Sequence, residues 1–277
     1  MYLNSTPEAM TERIDSLVDK LVNSKNKDAA ETGLEGIGNA CLGKLEPLVS
    51  SPDEDVRYQA ARCILNLGSD KGFEVLSRMA MDKGSKRRFE ALKTLTLGAK
   101  RRDAAVVARR LLSDEDAKMR VLAYEQLWKM DDSSISQETI GGRFSLEQVV
   151  QTSYREVYAS RSGEPRIVLF GAPLRCRPNL FVQSRNGEVT INAPSGQEYV
   201  QLIRKVPGRP DFAQLKSSYD LSDIIRTLCE EPKTVKGVVI RSGLNVPYSE
   251  ALALIKQLCD TGMVDAKFEA GALPKVE

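Results

Sequence analysis

The chain contains no histidine in its 277 residues. That removes together the commonest general base, the commonest metal ligand and the usual base of a nucleophilic triad. Thiols, carboxylates and a basic run remain. The cysteines Cys41, Cys63, Cys176, Cys229 and Cys259 are dispersed, odd in number and form no C-x-x-C pair, so they suggest neither a disulfide framework nor a zinc site. They read as reduced core residues. Acidic pairs occur at Asp53/Asp55 and Asp114/Asp116, each in a turn before a helical pattern, where capping is the expected role. The glycine-containing stretch Gly33-Leu-Glu-Gly36-Ile-Gly38 lies inside a helical pattern, not between a strand and a helix, so it fails the context of a dinucleotide loop. No Walker loop, G-x-S-x-G or metal-ligand spacing occurs. The expectation is therefore no catalytic, cofactor-binding or metal-binding residues, no small-molecule substrate, and a chain that is not an enzyme.

The basic run comprises Lys83, Lys86, Arg87, Arg88, Lys100, Arg101, Arg102, Arg109 and Arg110. Clustered cations of this kind can bind phosphates, or form a solvated face offset by acidic loops. No aromatic residues interleave to make a stacking platform. The expected partner is protein, with Arg88, Arg101 and Arg102 as exposed contact residues on one face; nucleic acid is the alternative. Acidic loops interrupting the basic residues would favour the first reading, a continuous basic surface the second.

Composition sets the frame for these residues. Hydrophobic content of 42%, charged content of 28% and a net charge of +2 leave no global field to drive binding to nucleic acid or an anionic membrane. No apolar run approaches the ~18–20 residues of a membrane span, so no membrane insertion is expected. The first residues, Met1 to Pro7, show neither a basic nor an apolar signal region. A full-length chain would then be cytoplasmic, whereas a piece of a longer exported chain would lie in the periplasm or cell envelope.

Internal similarity is the strongest pattern. Val56-Arg57-Tyr-Gln-Ala60-Ala61-Arg-Cys-Ile64-Leu65-Asn-Leu67-Gly68 follows Ser51-Pro52-Asp53-Glu54-Asp55. Met119-Arg120-Val-Leu-Ala123-Tyr124-Glu-Gln-Leu127 follows Asp114-Glu115-Asp116, and a third copy starts at Arg88-Phe89-Glu90-Ala91-Leu92. A weaker first copy begins at Asp28-Ala29-Ala30. A period of about 31 marks stacked helical hairpins. Acidic turns cap, alanines allow close approach, leucines and isoleucines form the buried stripe, and Gly68 ends its helix. The repeated arginine is expected to reach a neighbouring repeat's acidic turn or carbonyls.

From Ser133 the pattern changes. Ser133-Ser134-Ile-Ser and Gly141-Gly142 read as a linker. Residues 166–171 form a buried-strand run, and Asn186-Gly187 joins two strand-like segments into a hairpin. Residues 199–206 continue an antiparallel sheet up to Pro207-Gly208. Helical stripes follow at Leu221, Ile224, Ile225, Leu228 and at Ala251, Leu254, Ile255, Leu258, with a closing strand near Phe268. Helix, short element, helix, Gly262 and strand is the order of a winged helix. Its candidate recognition helix, however, offers only Lys256 and Gln257 as readers.

The acidic loop followed by V-R-x-x-A-A resembles HEAT-type repeats of the short bacterial kind, which implies an extended interaction surface. The order of Gly141-Gly142-Arg-Phe144-Ser-Leu146, Pro165-Arg-Ile-Val168-Leu-Phe170-Gly171, Leu221-Ser-Asp223-Ile224-Ile225-Arg226, Val246-Pro247-Tyr248 and Lys267-Phe268-Glu269-Ala270-Gly-Ala272-Leu273-Pro274 is similar to the HEAT-containing C-terminal extension of flagellar P-ring-like proteins of planctomycete-type bacteria. That resemblance implies a structural role in a flagellar basal body or cell-envelope assembly; the ring-forming body of the family does not appear in the sequence. The expected architecture is α+β: a HEAT-like α-solenoid over residues 1–132, then a small antiparallel-sheet α+β domain over 133–277 with a winged-helix-like tail. The expected function is a non-enzymatic scaffold or protein-interaction protein.

Overall fold

A helix must start where a side chain can satisfy its first amides. In the computed structural model, which describes residues 6–24, 27–98, 100–205, 212–235, 238–240 and 242–271, acidic turns do so at two helices. Residues 206–208 and 272–274 of the sequence readings lie outside the described residues. Contacts divide the chain into two units, Met1–Asp132 and Ser133–Glu277.

The first unit is helical: α1 (Pro7–Asn23), α2 (Asp28–Ile37), a one-turn α3 (Leu42–Leu45) flanked by 3₁₀ turns, α4 (Glu54–Asn66), α5 (Asp70–Met81), α6 (Arg88–Leu97), α7 (Arg101–Leu111) and α8 (Ala117–Lys129). Asp53 accepts from the amides of Asp55 and Val56, and Asp116 from that of Lys118 at 2.9 Å, so each caps its helix. Gly68 ends α4 at φ 85°, where Ser69 N donates to Ile64 O and Gly68 N to Leu65 O, the paired bonds of a Schellman motif. Ala60, Ala61, Ala91 and Ala123 are fully buried, which lets successive helices approach closely.

The repeat is visible as a ladder of side-chain contacts. Glu35 accepts from Asn66 at 2.6 Å, Asp55 from Arg87 at 2.7 Å and Gln126 from Thr96 at 2.7 Å; the partners stand 30 to 32 residues apart. Glu31 binds Arg62 and Glu54 binds Ser85 at the same separation. Stacking therefore places equivalent positions of neighbouring repeats side by side.

The second unit holds β1 (Ile135–Ile140), β2 (Phe144–Val149), β3 (Glu156–Ala159), β4 (Arg166–Phe170), β5 (Leu180–Gln183), β6 (Val189–Ala193), β7 (Val200–Lys205), β8 (Phe212–Ser217), α9 (Leu221–Cys229), β9 (Lys233–Val235), β10 (Val238–Ile240), α10 (Tyr248–Asp260) and β11 (Lys267–Ala270). One sheet runs β1-β2-β4-β3-β11, the second β5-β6-β7-β8, and β9 pairs with β10. Phe144, Leu146, Ile167 and Leu169 of the first sheet share one core with Leu180, Val182, Ile191 and Leu202 of the second. The expected stripes of α9 and α10, Leu221 to Leu228 and Ala251 to Leu258, are buried in that core.

The α+β class is as expected, with three differences in detail. The segment read as a linker is the β1–β2 hairpin, with Ile140 paired to Phe144 and both Gly141 and Gly142 at positive φ, as a type I′ turn demands. The larger sheet is mixed, since β2 runs parallel to β4 and β3 parallel to β11. The tail does not form a wing. The hairpin β9–β10 precedes α10, and β11 after it joins β3 in parallel instead of folding back.

Candidate protein-contact surface

The basic run meets the acidic turns of adjacent repeats. Arg87 pairs with Asp55, Lys83 with Glu115 at 2.6 Å, Lys100 with Asp70, and Arg109 with Asp132. The acidic loops thus interrupt the ridge, which favours the protein-contact reading over nucleic-acid binding there.

Arg88 is not an exposed contact residue. It is 6% exposed, its guanidinium donates to both carboxylate oxygens of Asp114, and its Nε donates to Ala80 O at 3.4 Å. The cause lies in its place on the helix. Arg57 and Arg120 sit four residues into α4 and α8 and curl back to their own turns, Arg57 onto Ser51 O and Pro52 O, Arg120 onto Asp114 O and Glu115 O. Arg88 is the first residue of α6, so its side chain reaches the next repeat's acidic turn instead. The expected reach to a neighbouring repeat thus holds for Arg88, while Arg57 and Arg120 each bond the carbonyls of their own turn.

Arg101 and Arg102 open α7 and are exposed. Arg101 donates to Lys129 O at 3.0 Å, which ties it to the end of α8. Arg102 and Arg110 are in no ion pair among the described residues. Arg102, Val106 and Arg110 follow at four-residue steps along one face of α7, and Val106 is 44% exposed. Leu97, the last residue of α6, is 86% exposed just before them. An exposed leucine and valine among uncommitted arginines have the composition of a protein-contact hot spot. Leu97 and Val106 escaped sequence reading because each is a single apolar residue in an otherwise regular stripe.

The carboxylates of the ladder should make the unit acid-sensitive. The hydrogen bond from Ser85 holds Glu54 below the usual carboxylate range, and that from Arg87 does the same for Asp55. Burial pushes Asp114 up, but the hydrogen bonds from Arg88 and the Asp116 amide, with the charges of Arg88 and Lys83, outweigh it and leave its pKa lowered. A depressed carboxylate stabilises the fold above its unfolded pKa, and that contribution is lost as pH falls through the folded value. The thermal midpoint is expected to hold from neutral pH to about pH 4–5 and to fall below about pH 4. A midpoint unchanged at pH 3 would mean that these pairs do not hold the repeats in solution.

Burial pushes the thiols of Cys63, Cys176 and Cys229 up to about 12 and that of Cys259 to about 11, consistent with protonated packing residues. Among the described residues no cluster of acidic, cysteine or histidine side chains is arranged to hold a metal ion, and no helix is long and apolar enough to cross a membrane.

No protein-family model and no curated protein matches the chain, so the flagellar P-ring-like resemblance gains no support there. Among solved structures, the chain is similar to one from the complex of CpcE and CpcF of phycocyanin lyase from Nostoc sp. PCC7120. The match has 18% identity and a TM-score of 0.35, and covers 42% of this chain and 77% of that one. The described residues form stacked helical repeats in the first unit and an α+β fold in the second. The expectation that the chain is not an enzyme is corrected, because the similar structure comes from a lyase.

Proposed function

We propose that the helical repeats are a protein-interaction surface, and that Leu97, Arg101, Arg102, Val106 and Arg110 form its contact patch. The observation that carries this reading is the contrast within the basic run. Most of its cations are committed to neighbouring acidic turns, whereas Arg102 and Arg110 are in no ion pair among the described residues, on the helix that follows an 86% exposed leucine. The complementary partner is a protein surface that combines carboxylates with an apolar pocket. The assembly suggested by the sequence resemblance is a flagellar basal body or another cell-envelope complex.

The test is affinity capture by the full chain from envelope and soluble fractions, comparing wild type with Leu97→Ser and Arg102→Glu. Each variant is expected to weaken capture of the same protein roughly 30-fold or more, as hot-spot positions do. Each should leave folding stability within about 0.5 kcal/mol, since both residues are exposed. Capture untouched by either substitution would remove the patch from the interface. A partner found only in the soluble fraction would end the basal-body reading and leave the interaction reading in place.

A further inference from the structure

The β5-β6-β7-β8 sheet buries one face and leaves the other to solvent. Register puts Phe181, Asn192, Gln201 and Lys216 in one row across the four strands, and Gln183, Thr190, Ile203 and Gln214 in the next. Phe212 pairs with Lys205 at the far corner. Phe181 is 66% exposed and Phe212 63%. Tyr199, just before β7, stands on the same face with the Lys216 ammonium 4.0 Å from its ring centre. Among the described residues neither Lys205 nor Lys216 is in an ion pair. In the two full rows every polar side chain is an amide, a hydroxyl or an ammonium; Glu188, beside β6, is the carboxylate at the rim.

We infer that this sheet face binds single-stranded nucleic acid. Three aromatic rings are spread over it, with Phe181 and Phe212 on a diagonal of about 20 Å by strand geometry. The exposed rings of Phe181 and Phe212 can stack unpaired bases, amides can hydrogen-bond base edges, and the ammonium groups of Lys205 and Lys216 can meet phosphates. A duplex offers no unstacked faces to such a platform. Amides and a threonine separate the rings, so each ring offers its own face to a base. The helical-repeat patch of the preceding section is a different surface with a different partner.

The experiment is fluorescence anisotropy of the full chain with labelled oligo-dT and oligo-U of about 12 nucleotides, within the site sizes of such platforms. A duplex of the same length is the comparison. Binding to the single strands is expected, weaker for the duplex. Phe181→Ala and Phe212→Ala should each reduce affinity roughly 5- to 100-fold. Lys205→Ala with Lys216→Ala should flatten the salt dependence by about one to two units of slope. Arg102→Glu should bind like wild type. Phe181→Leu keeps apolar bulk without a ring and gives the same reading if the alanine variant unfolds. No binding, equal binding to duplex, or binding indifferent to both phenylalanines would overturn the inference. So would a concentration-dependent dimer that the same variants dissolve, or saturable binding of a neutral oligosaccharide in place of the oligonucleotides.

Discussion

Replacing Arg88 with methionine is expected to destabilise the helical unit by about 3–5 kcal/mol, the cost of breaking one side of a buried ion pair. The Arg88 and Asp114 side chains are 8% and 7% exposed. Methionine suits a helix and fills much of the same apolar volume, so the loss reports on charge rather than on shape. It leaves the Asp114 carboxylate buried with the Asp116 amide at 2.9 Å but no cation in hydrogen-bond contact. The double variant Arg88→Met with Asp114→Leu should recover much of the loss, because neither charge then has to be desolvated. It should still lack the bond from the Asp116 amide, worth about 1 kcal/mol. Arg87→Ala breaks the more exposed pair with Asp55 and should cost no more than about 1 kcal/mol. Urea unfolding followed by far-ultraviolet circular dichroism reads all three. A single Arg88 variant within 1 kcal/mol of wild type would mean that the guanidinium reaches water and that the pair is an ordinary surface contact.

Arg88 also shows where sequence reasoning stops. Its alignment with Arg57 and Arg120 revealed the period, because repeat spacing is a local property that each copy carries in its own turn and stripe. Alignment could not give the three arginines their partners. One offset in where the helix begins, Arg88 at the first position against the fourth for the others, sends the side chain to a different repeat. The Asn186-Gly187 hairpin and the stripes of α9 and α10 were legible for the same reason as the period, since turn chemistry and helical periodicity are written in consecutive residues. Gly141-Gly142 carried a hairpin signal too. It was obscured by the polar strand before it, Ile135-Ser-Gln-Glu-Thr-Ile140, most of which faces solvent.

Long-range pairing was not legible. Nothing near Phe268 indicates that Lys267–Ala270 will lie parallel to Glu156–Ala159, a partner more than a hundred residues away. A winged helix was therefore a reasonable reading of element order and a wrong reading of topology. The aromatic face has the same origin. Phe181, Tyr199 and Phe212 are scattered in the chain, and a search for aromatics along the basic run could not find them. Only cross-strand register brings them onto one surface.

Gly72→Ala is the second substitution expected to have a large effect, a loss of about 1–3 kcal/mol or somewhat more. A Cβ there would lie 2.4 Å from Leu65 N and 2.5 Å from Ala61 O, both backbone atoms of α4. No rotamer can relieve a clash with backbone, so α5 must move away from α4, with Val75, Leu76 and Met79 drawn partly out of their packing. Alanine is the better helix former by up to about 1 kcal/mol, and that gain offsets only part of the strain. Two other glycines isolate the effect. Gly36 in α2 has nothing within 4 Å of its added carbon, so Gly36→Ala should stabilise by about 0.5–1 kcal/mol. Gly33 would meet Leu17 Cδ2 at 3.0 Å, the movable end of a side chain, so Gly33→Ala should fall near wild type. Thermal midpoints are expected to rank Gly36→Ala first, wild type and Gly33→Ala together, and Gly72→Ala last. If Gly72→Ala instead matched Gly36→Ala, α4 and α5 would be spaced more widely in solution, and a small residue at position 72 would not be a condition of their packing.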